Sequence, residues 1–496
     1  MPHGGKRQRG CRWCCRFAVA LAAISCVATA TAQTNLETNS GIRFNFSPPG
    51  APNLALGGAF IGLADDATAA YTNPAGLIKL SRPEVTTEVR RWEYTHLFTD
   101  RGLVDNQENR DELAVEGGLE RAEALGLEGV GLIDGETRDT VPALSFFSYV
   151  YPRERWTLAL FRHELVNFEA HFSTFGFYQR FSVLGSVTGI PGTAGVTDGR
   201  LASLRNEMRL RISNYGLAGA YRLGAGFSLG LALSYYDFGL DTRADRYLPP
   251  FEEAPSFSDA SRVNSQVQKG EDDAWSGTAG LRWESPRGRV SLGAVFRRGP
   301  TFRFETLNRD EQDDGFDFDP IRRAGRFRVP DVWGIGLGWR PIDALRVAVD
   351  YDHIEYSALS RDLVDVFGLD TLFPRPDLGL PAVDPELDKF SIADADELHV
   401  GIEYFFLDNR SLARTPFSIL VGAWHDPDHS LVFEGRNEGF AAIFRPRPDQ
   451  THFSIGVGFS ASNLQAYVAY DYSKRTRVLS LSVVRRFRVA NGGGRR

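Results

Sequence analysis

The sequence predicts an all-β fold, an antiparallel transmembrane β-barrel of about fourteen strands. Three observations carry this. A secretory leader is followed by no apolar run long enough for a membrane helix. Stretches of about ten residues alternate apolar with small or polar side chains, as strands between lipid and a lumen must. The connections between those stretches are long and short by turns.

The leader comes first. Lys6, Arg7, Arg9, Arg12 and Arg16 form a positive head before the short apolar run from Phe17 to Ala28. Ala30-Thr31-Ala32 supplies a cleavage pattern, so residues 1–32 read as a signal peptide and the mature chain begins at Gln33. All four cysteines (Cys11, Cys14, Cys15 and Cys26) fall inside the leader. Metal binding by a transient leader and lipidation at Cys26 are the weaker readings. The mature chain is left without disulfides or thiol chemistry. A net charge of −7 offers no basic surface for nucleic acid. Phe, Tyr, Trp and Gly are plentiful and Met is scarce, which suits aromatic girdles around a tightly packed lumen.

The strands follow. Val332 to Arg340 sets Trp333, Ile335, Leu337 and Trp339 on one face and Gly334, Gly336 and Gly338 on the other. Leu345, Val347, Val349 and Tyr351 oppose Arg346, Ala348, Asp350 and Asp352. Leu398, Val400, Ile402, Tyr404 and Phe406 oppose His399, Gly401 and Glu403. The same template places strands near Glu84–Tyr94, Ala143–Tyr151, Arg155–Leu165, Ile212–Arg222, Phe227–Phe238, Trp275–Glu284 and Arg289–Arg298. The later ones lie near Val332–Arg340, Leu345–Glu355, Glu397–Leu407, Pro416–His425, His452–Ser460, Leu464–Tyr472 and Arg477–Phe487. Tight links such as Pro152-Arg153-Glu154, Gly224-Ala225-Gly226 and Ala461-Ser462-Asn463 follow the even strands. Short links on one side put both chain ends in the periplasm, and a sandwich has no reason to sort its loops this way. The barrel therefore runs over 84–487, and 488–496 is a Gly- and Arg-rich periplasmic tail beyond the terminal Phe487.

Between the leader and the first strand, Leu56 to Leu80 reads LGGAFIGLADDATAAYTNPAGLIKL. This segment resembles the N-terminal plug of the outer-membrane long-chain fatty-acid transporters, a family that includes aromatic-hydrocarbon channels. The stretches Arg328–Ser357 and His452–Ser473 resemble the family's hairpins. The resemblance implies that residues 33–83 form a plug inside the lumen and that the barrel sits in the bacterial outer membrane. It implies passive transport of long-chain fatty acids or similar hydrophobic compounds, with no enzyme activity and no cofactor. Partners implied are a hydrophobic ligand, outer-membrane lipid and lipopolysaccharide, and the barrel-assembly machinery, with the barrel a monomer. NPAGL also occurs in barrels that accompany secretion, so a shuttle or scaffold for secreted proteins is the alternative.

The residues of the plug can be read physically. Its glycines and alanines keep it thin, and Gly334, Gly336, Gly338, Gly456 and Gly458 leave room on the wall. Pro74 biases Asn73 toward extended backbone, making Asn73-Pro74-Ala75-Gly76 a turn whose Asn73 side chain can bond the wall. Asp65 and Asp66 can pair with Arg282 or Arg346, or stay solvated. In the resembled family the loops after the fifth and seventh strands capture the ligand. Here these are Gly239–Ala274 and Gly299–Pro330, with Phe251, Phe257, Phe302 and Phe304 among their aromatics. Arg297 is the cation placed to meet a carboxylate head group. An acyl chain of about sixteen carbons could gain on the order of 10 kcal/mol on burial, enough to bind without a pump.

Three motifs are discounted. Gly226-Phe227-Ser228-Leu229-Gly230 fits a nucleophile elbow but opens a strand with no helix after it, which removes an esterase reading. His425-Asp426-Pro427-Asp428-His429 reads as a solvated turn before a metal site. The acidic run from Asp313 to Asp319 lacks the spacing of a calcium loop.

Overall fold

A computed structural model describes residues 48–102, 132–184, 194–201, 203–247, 257, 262–311, 321–360, 362, 386–406, 416–436, 441 and 444–487. The signal peptide, the tail after Phe487, Phe251 and the acidic run at Asp313–Asp319 lie outside these residues. The strands in chain order are β1 (Glu84–Arg101), β2 (Ile133–Pro152), β3 (Trp156–Thr174), β4 (Phe177–Leu184), β5 (Ala194–Leu201), β6 (Ser203–Gly224) and β7 (Phe227–Tyr247). Next come β8 (Arg262–Glu284), β9 (Val290–Arg297), β10 (Thr301–Glu311), β11 (Ile321–Arg328), β12 (Val332–Ile342), β13 (Leu345–Ile354) and β14 (Phe390–Ser391). The last are β15 (Ala395–Phe406), β16 (Phe417–Asp426), β17 (Val432–Phe433), β18 (Gln450–Ala461), β19 (Leu464–Tyr472) and β20 (Thr476–Arg486).

Fourteen of these form one closed antiparallel ring, in the order β1-β2-β3-β6-β7-β8-β9-β12-β13-β15-β16-β18-β19-β20 and back to β1. The closing ladder pairs Glu84 with Arg486, and the Phe487 amide donates to the Pro83 carbonyl at 2.8 Å. Closure joins the first wall strand to the last, as a β-structure in hydrocarbon requires. Each wall strand coincides with one read from the alternation. The lipid side is apolar: Leu398, Val400 and Ile402 are exposed, while His399 and Glu403, on the alternate face, are buried. Trp333 and Trp339, at the two ends of one strand, are both exposed and mark the two rims of the apolar band.

The strand ends correct the sequence reading on one side. The six strands β1, β2, β3, β6, β7 and β8 run for 18 to 23 residues, while the other eight have 8 to 12. Gly239–Ala274 is therefore no simple loop, because β7 and β8 stay paired out to Tyr247 and Arg262. Gly299–Pro330 contains the hairpin β10–β11, whose first strand pairs with the outer part of β8. The reason is physical. Above the membrane the outer face turns polar, as with Asp134, Glu136 and Arg138 on β2, yet the ladder continues. Apolar alternation reports the lipid contact and not the full strand. The turn His425–His429 is solvated only in part: His425 is exposed, while His429 is buried and its ring stacks on Tyr356 at 4.2 Å.

Candidate functional site

The small residues of the plug let it thread the lumen, and nearly all of residues 49–78 are buried. It enters through a short helix (Ala51–Ala55), crosses the lumen, turns through a second (Ala69–Thr72) and leaves through a 3-10 helix (Pro74–Lys79). Among the plug's own glycines, Gly62 packs most tightly against wall backbone. A Cβ there would stand 2.6 Å from the Leu337 carbonyl carbon and 2.7 Å from the Gly338 nitrogen. The facing wall position is also glycine: a Cβ on Gly336 would meet the Gly62 nitrogen at 2.4 Å. Gly334, Gly338 and Gly456 face Ile61, Leu63 and Ala55 in the same way, whereas Gly458 faces Tyr467 and Ser418 of the wall.

Backbone brought this close must be satisfied, and wall side chains do it. Asp350, paired with Gly336 across the β12–β13 ladder, accepts the Phe60 and Ile61 amides at 2.5 Å each, with Gly62 N at 3.5 Å. Ser291 Oγ donates to the Gly62 carbonyl at 2.8 Å. His399 Nδ1 lies 2.7 Å from the Gly57 carbonyl, and Ser228 Oγ donates to the Ala75 carbonyl at 3.0 Å. The serine of the discounted elbow thus holds the plug. At the entry, Glu88 accepts the Gly50 amide at 2.8 Å and Ser482 Oγ accepts the Ala51 amide at 2.7 Å.

The residues singled out in the sequence fall as follows. Asn73 is fully buried and extended (φ −152, ψ 96), as the following proline requires. Its Oδ1 accepts the Ala75 amide at 3.2 Å, and its Nδ2 donates to the Ile61 carbonyl at 3.2 Å and the wall carbonyl of Leu281 at 3.3 Å. Pro74 opens the 3-10 helix, and Gly76 packs where a Cβ would meet the Ala64 carbonyl oxygen at 2.0 Å. Asp65 pairs with Arg346 at 2.6 Å, and Arg346 also binds Glu403. Asp66 turns back to accept the Thr68 amide at 2.8 Å. Arg282 pairs with Glu284 at 2.9 Å.

Arg297 is lumenal. Its guanidinium lies 4.2 Å over the Tyr71 ring, with Nη2 3.5 Å from the Tyr71 and Thr72 carbonyls. It lines a cavity of about 40 Å³ with Asp352, Glu397, His399 and the plug glycines Gly57 and Gly58. That volume suits water and not a hydrophobic ligand, so this cavity is closed to one here. Phe302 and Phe304 are buried and stack on Phe238 at 4.8 and 4.9 Å. Phe257 packs against Phe175 and Tyr247.

The sequence reading did not find the interruption in the wall. β2 bonds β3 only from Pro152↔Thr157 to Phe146↔His163. Yet β2 remains paired with β1 out to Ile133, and β3 with β6 out to Thr174. Register shifts sit beside the break, at Ser145 on β2 and Leu165 on β3. Pro142, just above it, has no amide to give a ladder. Aromatic rings gather at this seam: Tyr94, His96 and Phe168 lie within 5.0 to 6.1 Å of one another. From the plug, Tyr71 reaches its foot, 4.3 Å from the His163 ring and 6.5 Å from Phe161.

No family model matches the chain, and no curated protein does. Solved structures do. A Pseudomonas aeruginosa FadL homologue matches with TM-score 0.56 at 12% identity, over 90% of this chain and 99% of that one. The Ralstonia pickettii toluene transporter TbuX matches with TM-score 0.53 at 12% identity, over 90% of this chain and all (100%) of its own. The CymD monoaromatic hydrocarbon channel gives 0.50 at 13%, over 90% and 100%. Likeness at this identity establishes a shared fold, the one the plug motif had suggested.

Proposed function

We propose that this barrel carries a hydrophobic small molecule, a long-chain fatty acid or a hydrocarbon, passively through the bacterial outer membrane. The observation that carries the reading is the pairing of a plug-filled lumen with an interrupted wall. The plug blocks the straight route, and beside its Tyr71 the β2–β3 ladder stops among aromatic rings. A greasy molecule entering from outside leaves sideways, through the seam, once the plug or the rings move. Arg297, already at the plug surface, meets an anionic head group if the ligand has one. Phe257 contributes to capture outside, and Phe302 and Phe304 hold the β10–β11 hairpin against Phe238 of β7. The similar barrels named as a FadL homologue, a toluene transporter and a monoaromatic hydrocarbon channel support the ligand class. No step requires catalysis.

The test is uptake of radiolabelled oleate and toluene by cells expressing the chain, beside a variant carrying Asn73→Ala and Pro74→Gly. Uptake of either compound above empty cells, altered in the variant, is the expected result. No uptake of either by a correctly inserted barrel would overturn the reading and favour a scaffold for secreted proteins.

A further inference from the structure

Where the β2–β3 ladder ends, main-chain groups on both strands lose their partners at the edge of the apolar band. Leu158 and Leu160 face lipid below the break, and Asn167, Glu169 and His171 carry the outer face of β3 above it. Orphaned peptide groups there must bond to each other, to side chains or to water. Three side chains take them: His96 Nε2, from β1, lies 2.9 Å from the Glu169 carbonyl, and Arg162 and Asp139 serve the two ends. At the lower end Arg162, the last outward residue before the break, reaches past the ladder to donate through Nη1 to the Leu144 carbonyl. Its other nitrogen, Nη2, binds Glu164, with Ser213 Oγ at 3.3 Å. At the upper end the Asp139 carboxylate accepts the His171 amide at 2.9 Å and bonds His171 Nδ1 at 2.8 Å. His96 Nε2, from β1, stands 3.5 Å from the same carboxylate.

We propose that Arg162 and Asp139 are positioning residues that hold the seam open, by occupying the main-chain groups that would otherwise zip β2 to β3. Extending the register upward from Phe146↔His163 puts Thr140 opposite Glu169, so nothing in the count of residues prevents pairing. A guanidinium or a carboxylate seated between two strands takes the place of a direct N–H to carbonyl bond, so the groups it occupies cannot also pair across the seam. Remove them, and the cheapest partners left for the orphaned groups are those across the seam. The link between this spacing and uptake rests on the transport reading above; the spacing itself does not.

The described barrel has no cysteine, which makes disulfide trapping clean. The probe is the Thr140→Cys/Glu169→Cys pair, in an otherwise native barrel reconstituted in lipid, with mild oxidant. A bond needs Cα atoms within about 7 Å, which paired strands meet and parted strands do not. Low trapping is expected in the native background, where no ladder pairs these two residues, and a rise of about tenfold or more with Arg162→Ala, which lets the ladder set them opposite one another. Arg162→Lys, which keeps a donor for Leu144, restores low trapping. Amide hydrogen exchange over Leu165–Ala170, read without any cysteine, slows in Arg162→Ala and in Asp139→Ala if the strands zip. Unchanged trapping and exchange in folded Arg162→Ala would overturn the proposal, as would a lysine variant that behaves like alanine. If spacing responds but neither oleate nor toluene enters native cells, the positioning role stands and the transport reading falls.

Discussion

The plug meets two unlike walls. Toward β9, β12 and β13 it lies against glycine-floored, continuous sheet, and Asp350 and Ser291 bond its backbone directly. Toward β3 it offers the Tyr71 ring to Phe161 and His163, just where the ladder to β2 gives out. A charge-assisted bond fails abruptly when geometry is lost, whereas ring contacts tolerate sliding. The contrast teaches where motion costs least. The plug is fixed on one side and leans on the other, and the leaning side is the one with a way out.

The comparison can be broken at its strong end. Asp350→Ala leaves two buried plug amides without an acceptor and should weaken seating by about 4 kcal/mol. Ion conductance in planar bilayers should rise sharply, and Asp350→Asn, which keeps an acceptor oxygen, should leak less. Gly62→Val drives a side chain into wall backbone that cannot yield, at about 3 kcal/mol. It should also raise conductance and sensitise cells to large antibiotics. The weak end sharpens the contrast. Tyr71→Leu keeps an apolar contact but removes the ring and its contact with Arg297, at about 2 kcal/mol. Uptake should change while resting conductance stays near native; a leak as large as that of Asp350→Ala would erase the distinction. Smallest is Lys79→Ala, which removes a partly exposed pair with Glu284 and should lower thermal stability by less than about 1 kcal/mol.

Much of this was legible in the sequence because lipid imposes a rule on every wall strand. Leu398, Val400 and Ile402 can face only one way, and the alternation located all fourteen wall strands. The rule lapses outside the membrane, so the outer reach of β1 to β3 and β6 to β8 did not show. Asn73 was readable from turn chemistry, and Asp65–Arg346 was one of the pairings that charge alone left open. Asp350 was visible as an inward acid beside Gly336, but not its partners, because pairing a carboxylate with particular amides depends on how the plug crosses the lumen. The seam had two faint signals: Pro142 within a strand, and the change of phase between outward Leu144 and outward Phe147. Each marks a bulge or an edge, and neither says which neighbouring ladder is lost.

The entry of the plug carries a consequence for assembly. Glu88 belongs to the first wall strand and Ser480 and Ser482 to the last, and Ser480 Oγ donates to Glu88 at 2.6 Å. Gly50 is held by Glu88 and Ala51 by Ser482, so both grips exist together only after β1 and β20 have met. The stretch of chain that leaves the ribosome before any strand is thus among the last to be locked in place. Its docking therefore depends on the ring having closed, and a barrel stalled with its first and last strands apart would lack both grips on its stopper.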